Sequence, residues 1–185
     1  MRTVVEGMLP ARFLMQHAIY MQTCAHIELG CWHIVQIAHG KRRFTVSEWE
    51  KVLGLKKDNW KIIDGLKEAA CWAPAPIGLR LHALIPRIRD GIEPRNAAAH
   101  GAWFYGDGAL RIEHYFTRGR GKAAQWFHID EPVQQRTIDA AIEDADSILI
   151  EVVSIRAALQ EELARRYPLP EDAVAPSITL LGARP

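Results

Sequence analysis

Three residues in the run Arg95-Asn96-Ala97-Ala98-Ala99-His100 have side chains suited to chemistry on an anion. Arginine is always cationic and offers a planar fork of donors that fits a phosphate. Histidine, with a reference pKa of about 6.5, exchanges a proton near neutral pH. Asparagine both donates and accepts, so Asn96 can orient a neighbour or touch a sugar hydroxyl. Spacing alone carries little: with sixteen Arg and eight His, on the order of one Arg-x4-His match arises by chance, and Arg12–His17 is such a match. The context of Arg95 differs. Polar Asn96 follows it, Pro94 precedes it, and Gly101 after His100 can release the backbone for an exposed imidazole.

In these residues the chain resembles the HEPN superfamily of helical domains, many of them ribonucleases marked by Arg, a polar residue, a short spacer and His. Arg95, Asn96 and His100 match those positions. The arrangement is similar too, with a long first helix, the motif near the end of a middle helix, and a long last helix. The resemblance implies metal-independent endonucleolytic cleavage of RNA without a cofactor, the 2′-hydroxyl attacking its own phosphodiester to leave a cyclic phosphate. It assigns His100 as acid/base and Arg95 as the clamp that stabilises charge on the phosphate oxygens. It further implies a homodimer in which two motifs face one cleft, and a toxin–antitoxin or antiviral defence setting with an antitoxin protein as partner. Ala102 stands where a subgroup paired with a nucleotidyltransferase antitoxin has a tyrosine, so regulation through that tyrosine is not expected.

Other residues bear on such a site. Glu28 interrupts the apolar stripe of the first long helix, where a carboxylate needs a partner, and Arg95 is a candidate. Arg118, Arg120 and Lys122 form a cationic tip for holding flanking phosphates. Trp103, Phe104 and Tyr105 offer either stacking surfaces for bases or core packing. Two alternatives to an enzyme stand beside this reading. One is a non-catalytic helical module binding protein or RNA through the same surface. The other is a helical ligand-binding domain with its pocket between the long helices, which an apolar cavity remote from His100 would favour.

The elements that must position these residues are mostly helical. Residues 10–38 show apolar stripes at Leu14, Ala18, Met21, Ala25, Trp32 and Val35 and at Phe13, Tyr20, Cys24, Ile27, Cys31 and Ile34, predicting one long helix ended by Gly40. Ser47 with Glu50 predicts a short capped helix, and Asp58 another running to about Ala70. A helix over 77–93 is expected to kink at Pro86 and to end at Gly91 and Pro94, just before Arg95. Leu110–Thr117 and Ala124–Ile129 flank the Gly-rich tip and predict a two-stranded hairpin. Asp130-Glu131-Pro132 reads as the start of a last helix reaching about Tyr167, with a seam at Ile138, Ala141, Ala145, Ile148, Val152, Ile155 and Leu159. The expected fold is all-α, a bundle of four to five helices with a small inserted β-hairpin. It forms a single domain over residues 1–167, with a Pro-rich tail at 168–185.

Composition narrows the class. With 49% hydrophobic and 24% charged residues the chain reads as an ordinary globular protein. A net charge of +1 argues against a constitutive nucleic-acid coat protein. The charge is uneven, though: residues 80–122 carry eight Lys/Arg against four acids, and residues 130–172 eleven acids against four Arg. No apolar run approaches a membrane span of roughly 18 residues, and the start MRTVVEGMLPARF lacks signal-peptide features. Cys24, Cys31 and Cys71 form neither a disulfide framework nor a zinc knuckle, which fits the cytoplasm. His17, Cys24 and Cys31 lie seven apart on one helix, too far to share an ion without other groups, so they read as core.

Overall fold

In the computed structural model, residues 3–38, 47, 60–118 and 123–166 are described. A short helix α1 (Val4–Met8) leads into α2 (Ala11–Ala38), then α3 (Trp60–Trp72) and α4 (Ala75–His100). Three strands follow, β1 (Ala102–Gly106), β2 (Ala109–Arg118) and β3 (Gln125–Val133), and α5 (Gln135–Arg166) closes the chain. Glu50, the proposed partner of Ser47, and the proposed cap Asp58 lie outside the described residues.

The two long helices lie side by side because their seams match. Ile148, Val152, Ile155 and Leu159 of α5 are buried against Cys31, Ile34 and Val35 of α2. Gln16 bonds Asp139 (2.8 Å) and His33 lies 3.5 Å from Arg156, so contacts advance in the same direction at equal spacing along both helices. α2 and α5 are therefore parallel. Parallel neighbours need a long crossover, and the chain between them supplies it with α3, α4 and the sheet. Gly30 marks the closest approach, since a Cβ there would run into Cγ1 of Val152. α4 runs antiparallel to α5, tied by Arg80 to Glu151 (2.8 Å) and by Arg87 to Asp144 (2.6 Å).

Three features depart from the expectations. First, α4 does not stop before Arg95 but continues to His100 through both Pro86 and Pro94. Each proline lacks a donor and frees a carbonyl one turn earlier, but Pro86, Pro94, His82 and Asp90 are all exposed, so the freed carbonyls are open to solvent. Second, Asp130-Glu131-Pro132 belongs to β3 rather than to a helix start, and the helix begins at Gln135. β3 is an edge strand, so Pro132, opposite Arg111, is tolerated there. Asp130 instead pairs with Arg111 across the ladder at 2.6 Å. Third, the β-structure is a three-stranded antiparallel sheet in the order β1-β2-β3, one strand more than a hairpin. β1 and β2 join through Asp107-Gly108, both at positive φ (50° and 76°), a type I′ turn.

Alternation along the strands gives the sheet two faces. Leu110, Ile112 and His114 are buried on one, where Trp103 packs on Phe13 of α2 with ring centroids 4.8 Å apart. The other face carries Phe104, Arg111, Tyr115, Trp126 and His128 and is exposed. No helix among the described residues is long and apolar enough to cross a membrane.

Candidate functional site

Arg95, Asn96 and His100 all lie on the last two turns of α4. Arg95 turns inward between α2 and α5. Its Nη2 donates to Glu28 Oε2 at 2.9 Å and its Nη1 to Asn96 Oδ1 at 3.1 Å. The Arg95 and Glu28 side chains keep only 25% and 24% of their exposure, so the carboxylate that interrupts the α2 stripe meets the cation proposed for it. Asn96 thus positions the arginine. A guanidinium has five N–H donors, so bonds to Glu28 and Asn96 leave others for a ligand.

His100 is not brought to Arg95 within one chain. Five residues along an α-helix turn through about 140°, so the two side chains leave α4 in different directions. Asn96, one turn before His100, is about 40° from it. His100 is exposed and makes no hydrogen bond or ion pair among the described residues. Arg95 is bound to Glu28 in the cleft between the helices, and His100 is not among the residues that line that cleft.

The end of α4 is tightly held. Gly101 N–H donates to Ala97 O (2.8 Å), and the carbonyl of Ala98 accepts from His17 Nε2 at 2.8 Å and, at the longer distance of 3.4 Å, from Trp103 Nε1. Carbonyls in a helix's last turn have no intrahelical donor, so His17 and Trp103 supply one. Because a carbonyl only accepts, His17 carries its proton on Nε2. Arg12–His17, a chance match in spacing, therefore contributes a positioning residue for the motif. Its signal in the sequence was a histidine on the apolar face of α2. Gly101 sits at ordinary negative φ but needs its missing side chain, because a Cβ would lie 2.6 Å from Ala97 O and 2.8 Å from Ile112 Cδ1.

Arg95 and Glu28 also line a cleft of about 400 Å³ between α2, α4 and α5, along with Tyr20, Cys24, Arg87 and Asp144. Ile27, Ile88, Ile92 and Ile148 give it apolar walls, and His100 is not among its lining residues. Burial pushes the Tyr20 hydroxyl well above its ordinary range, with the neighbouring Cys24 adding to the shift. Burial likewise raises the Cys24 thiol, against the opposing pull of its hydrogen bond with Tyr20 and of Arg95. Both stay protonated at neutral pH and offer no nucleophile there.

The remaining candidates fall elsewhere. Arg118 is the last residue of β2, and Arg120 and Lys122 lie outside the described residues. Of the aromatic run, Trp103 packs inward on α2, whereas Phe104 and Tyr105 are exposed. No group of three or more His, Cys, Asp or Glu among the described residues is placed to hold a metal ion. Comparison with protein-family models, curated proteins and solved structures finds no match.

Proposed function

We propose that the protein is a metal-independent endoribonuclease of the HEPN type, acting as a homodimer. The observation that carries this reading is His100: an exposed imidazole without a hydrogen-bond or ion-pair partner among the described residues, one turn from Asn96, at a helix end held by His17, Trp103 and Gly101. In the reaction, the ribose 2′-oxygen forms a bond to phosphorus as the bond to the 5′-oxygen breaks. One imidazole removes the 2′-proton, and an imidazolium returns a proton to the departing oxygen. One chain provides one such histidine in this motif, and Arg95 leaves α4 on another side. Two copies facing one phosphate supply both the acid and the base, together with a guanidinium to neutralise the oxygens.

The test is incubation of the purified protein with mixed RNA in EDTA, scoring cyclic-phosphate ends. His100→Ala should lower cleavage by about 10²–10⁴-fold, the usual worth of a general acid–base group. Arg95→Ala should abolish it too, with helicity and oligomeric state unchanged. Equal cleavage by His100→Ala and the parent removes the catalytic assignment.

A second reading rests on the apolar-walled cleft, which excludes His100 and suits a helical ligand-binding domain. A small molecule whose stabilisation of the protein disappears in Ile148→Trp, with RNA left intact by the parent, would favour it.

A further inference from the structure

The outward face of the sheet has a composition that burial does not explain. Tyr115 and Trp126 keep 62% and 78% of their exposure, and Phe104 is also exposed. Tyr115 of β2 stacks on His128 of β3, its cross-strand partner, with centroids 4.1 Å apart and planes 9° from parallel. Glu113 fixes this pair: it accepts from the Tyr115 hydroxyl at 2.9 Å and lies 3.4 Å from His128 Nε2. Trp126 stands two residues along β3, on the same face and about 7 Å away by strand rise. No Leu, Ile, Val or Met points outward from this face.

We infer that this face is a stacking platform for unpaired bases of single-stranded RNA, led by Tyr115, His128 and Trp126. The inference rests on the nuclease reading for its choice of polymer and gives that site its substrate class. Flat aromatic and heteroaromatic rings without aliphatic neighbours suit π-stacking, which every base accepts, better than a protein interface of the usual apolar core. The rings are preorganised. Glu113 and the mutual stack hold Tyr115 and His128 in place, so less rotamer freedom is lost on binding. Glu113 also keeps acceptor capacity for the exocyclic amino group of a base. Asp130, the other carboxylate on this face, is neutralised by Arg111 and so repels phosphate less. The platform adjoins the proposed catalytic group: Ala102, two residues after His100, pairs with Glu113 across the β1–β2 ladder. The platform therefore begins beside the first residue of β1, at the end of α4.

The experiment measures binding of short single-stranded oligoribonucleotides, about ten nucleotides long, by fluorescence anisotropy in a His100→Ala background where cleavage is off. Cleavage is scored separately with His100 intact. Trp126→Ala and Tyr115→Ala should each weaken binding by about 5–150-fold, corresponding to roughly 1–3 kcal/mol per stacked base, while Tyr115→Phe retains most of the affinity. A duplex of the same sequence should bind more weakly than the single strand. Unchanged affinity in both alanine variants, failure of the parent background to bind single strands, or tighter binding of the duplex overturns the platform. A shift in oligomeric state with unaltered RNA affinity does so as well, marking the face as a protein interface. Cleavage by the parent with binding unaffected by the variants defeats the platform alone. Ring-dependent binding by a protein that never cleaves RNA defeats the nuclease reading and leaves the platform standing.

Discussion

Replacing Glu28 by alanine strands Arg95 in a cleft where both side chains have lost three-quarters of their exposure. Exposed ion pairs contribute about 0–1 kcal/mol, and breaking a fully buried pair costs about 3–5 kcal/mol. A pair with contact at 2.9 Å and one-quarter exposure falls between these limits, so Glu28→Ala should cost about 1.5–3 kcal/mol. Arg95→Ala should lose a similar amount, because it removes the same 2.9 Å contact from the other side. The double variant should recover about 1–2 kcal/mol of the summed loss, as expected for two groups in direct contact. Urea unfolding of the four proteins at neutral pH closes the cycle, and whatever else Glu28 touches cancels from the coupling term. At 1 M salt the coupling should persist, since a part-buried pair is screened less than a surface one. Glu28→Gln keeps an acceptor for Nη2 and should be the milder single change. Coupling below about 0.5 kcal/mol would mean that the pair does not hold α4 to α2, and the account of how Arg95 is positioned would fail.

Three further outcomes follow from the packing and the titrating groups. Gly30→Ala should destabilise by about 1–3 kcal/mol through overpacking against Val152, read as a lower urea midpoint with unchanged slope; a neutral result would refute the close approach of α2 and α5. Burial, with Arg156 as the second cause, lowers the His33 pKa, so below about pH 6.5 the unfolded chain binds more protons than the folded one. Stability should therefore fall as the pH drops below that value and stay level above it, and His33→Gln should flatten this part of the profile. Burial also pushes the Cys31 thiol up to about 12 and raises Cys24, while Cys71 is exposed. A thiol reagent at pH 8 should thus modify Cys71 rapidly, the half-buried Cys24 more slowly and Cys31 only on unfolding, and Cys71→Ser should remove the fast phase.

Some of this architecture could be read directly from the residues. The seam of α5 and the α2 stripe from Phe13 to Ile34 were legible because a three-four apolar spacing specifies a buried face, whereas in the other α2 stripe Ala18 and Ala25 are exposed. The β2–β3 pair was legible from alternation around a Gly-rich tip. The ion pair of Glu28 was legible because a carboxylate in an apolar stripe requires a cation. The Asp107-Gly108 turn, a strong hairpin signal, was available in the sequence and would have revealed β1.

Other features had to wait for the tertiary structure. Pro86 and Pro94 are strong local breakers, yet both fall on the exposed side of α4, where the freed carbonyls are open to solvent, and which side that is depends on the packing of the other side. Asp130-Glu131-Pro132 has the residues of a helix start, but pairing with β2 and the Arg111 contact draw it into the sheet. The parallel run of α2 and α5, His17 as a prop for the motif, and the divergence of Arg95 from His100 likewise depend on how distant segments meet. Residue types and their period along the chain set which surfaces must be hidden and which groups need partners. Which partner each finds is decided by burial summed over many residues, and that total outweighs local preferences of about 1 kcal/mol per residue.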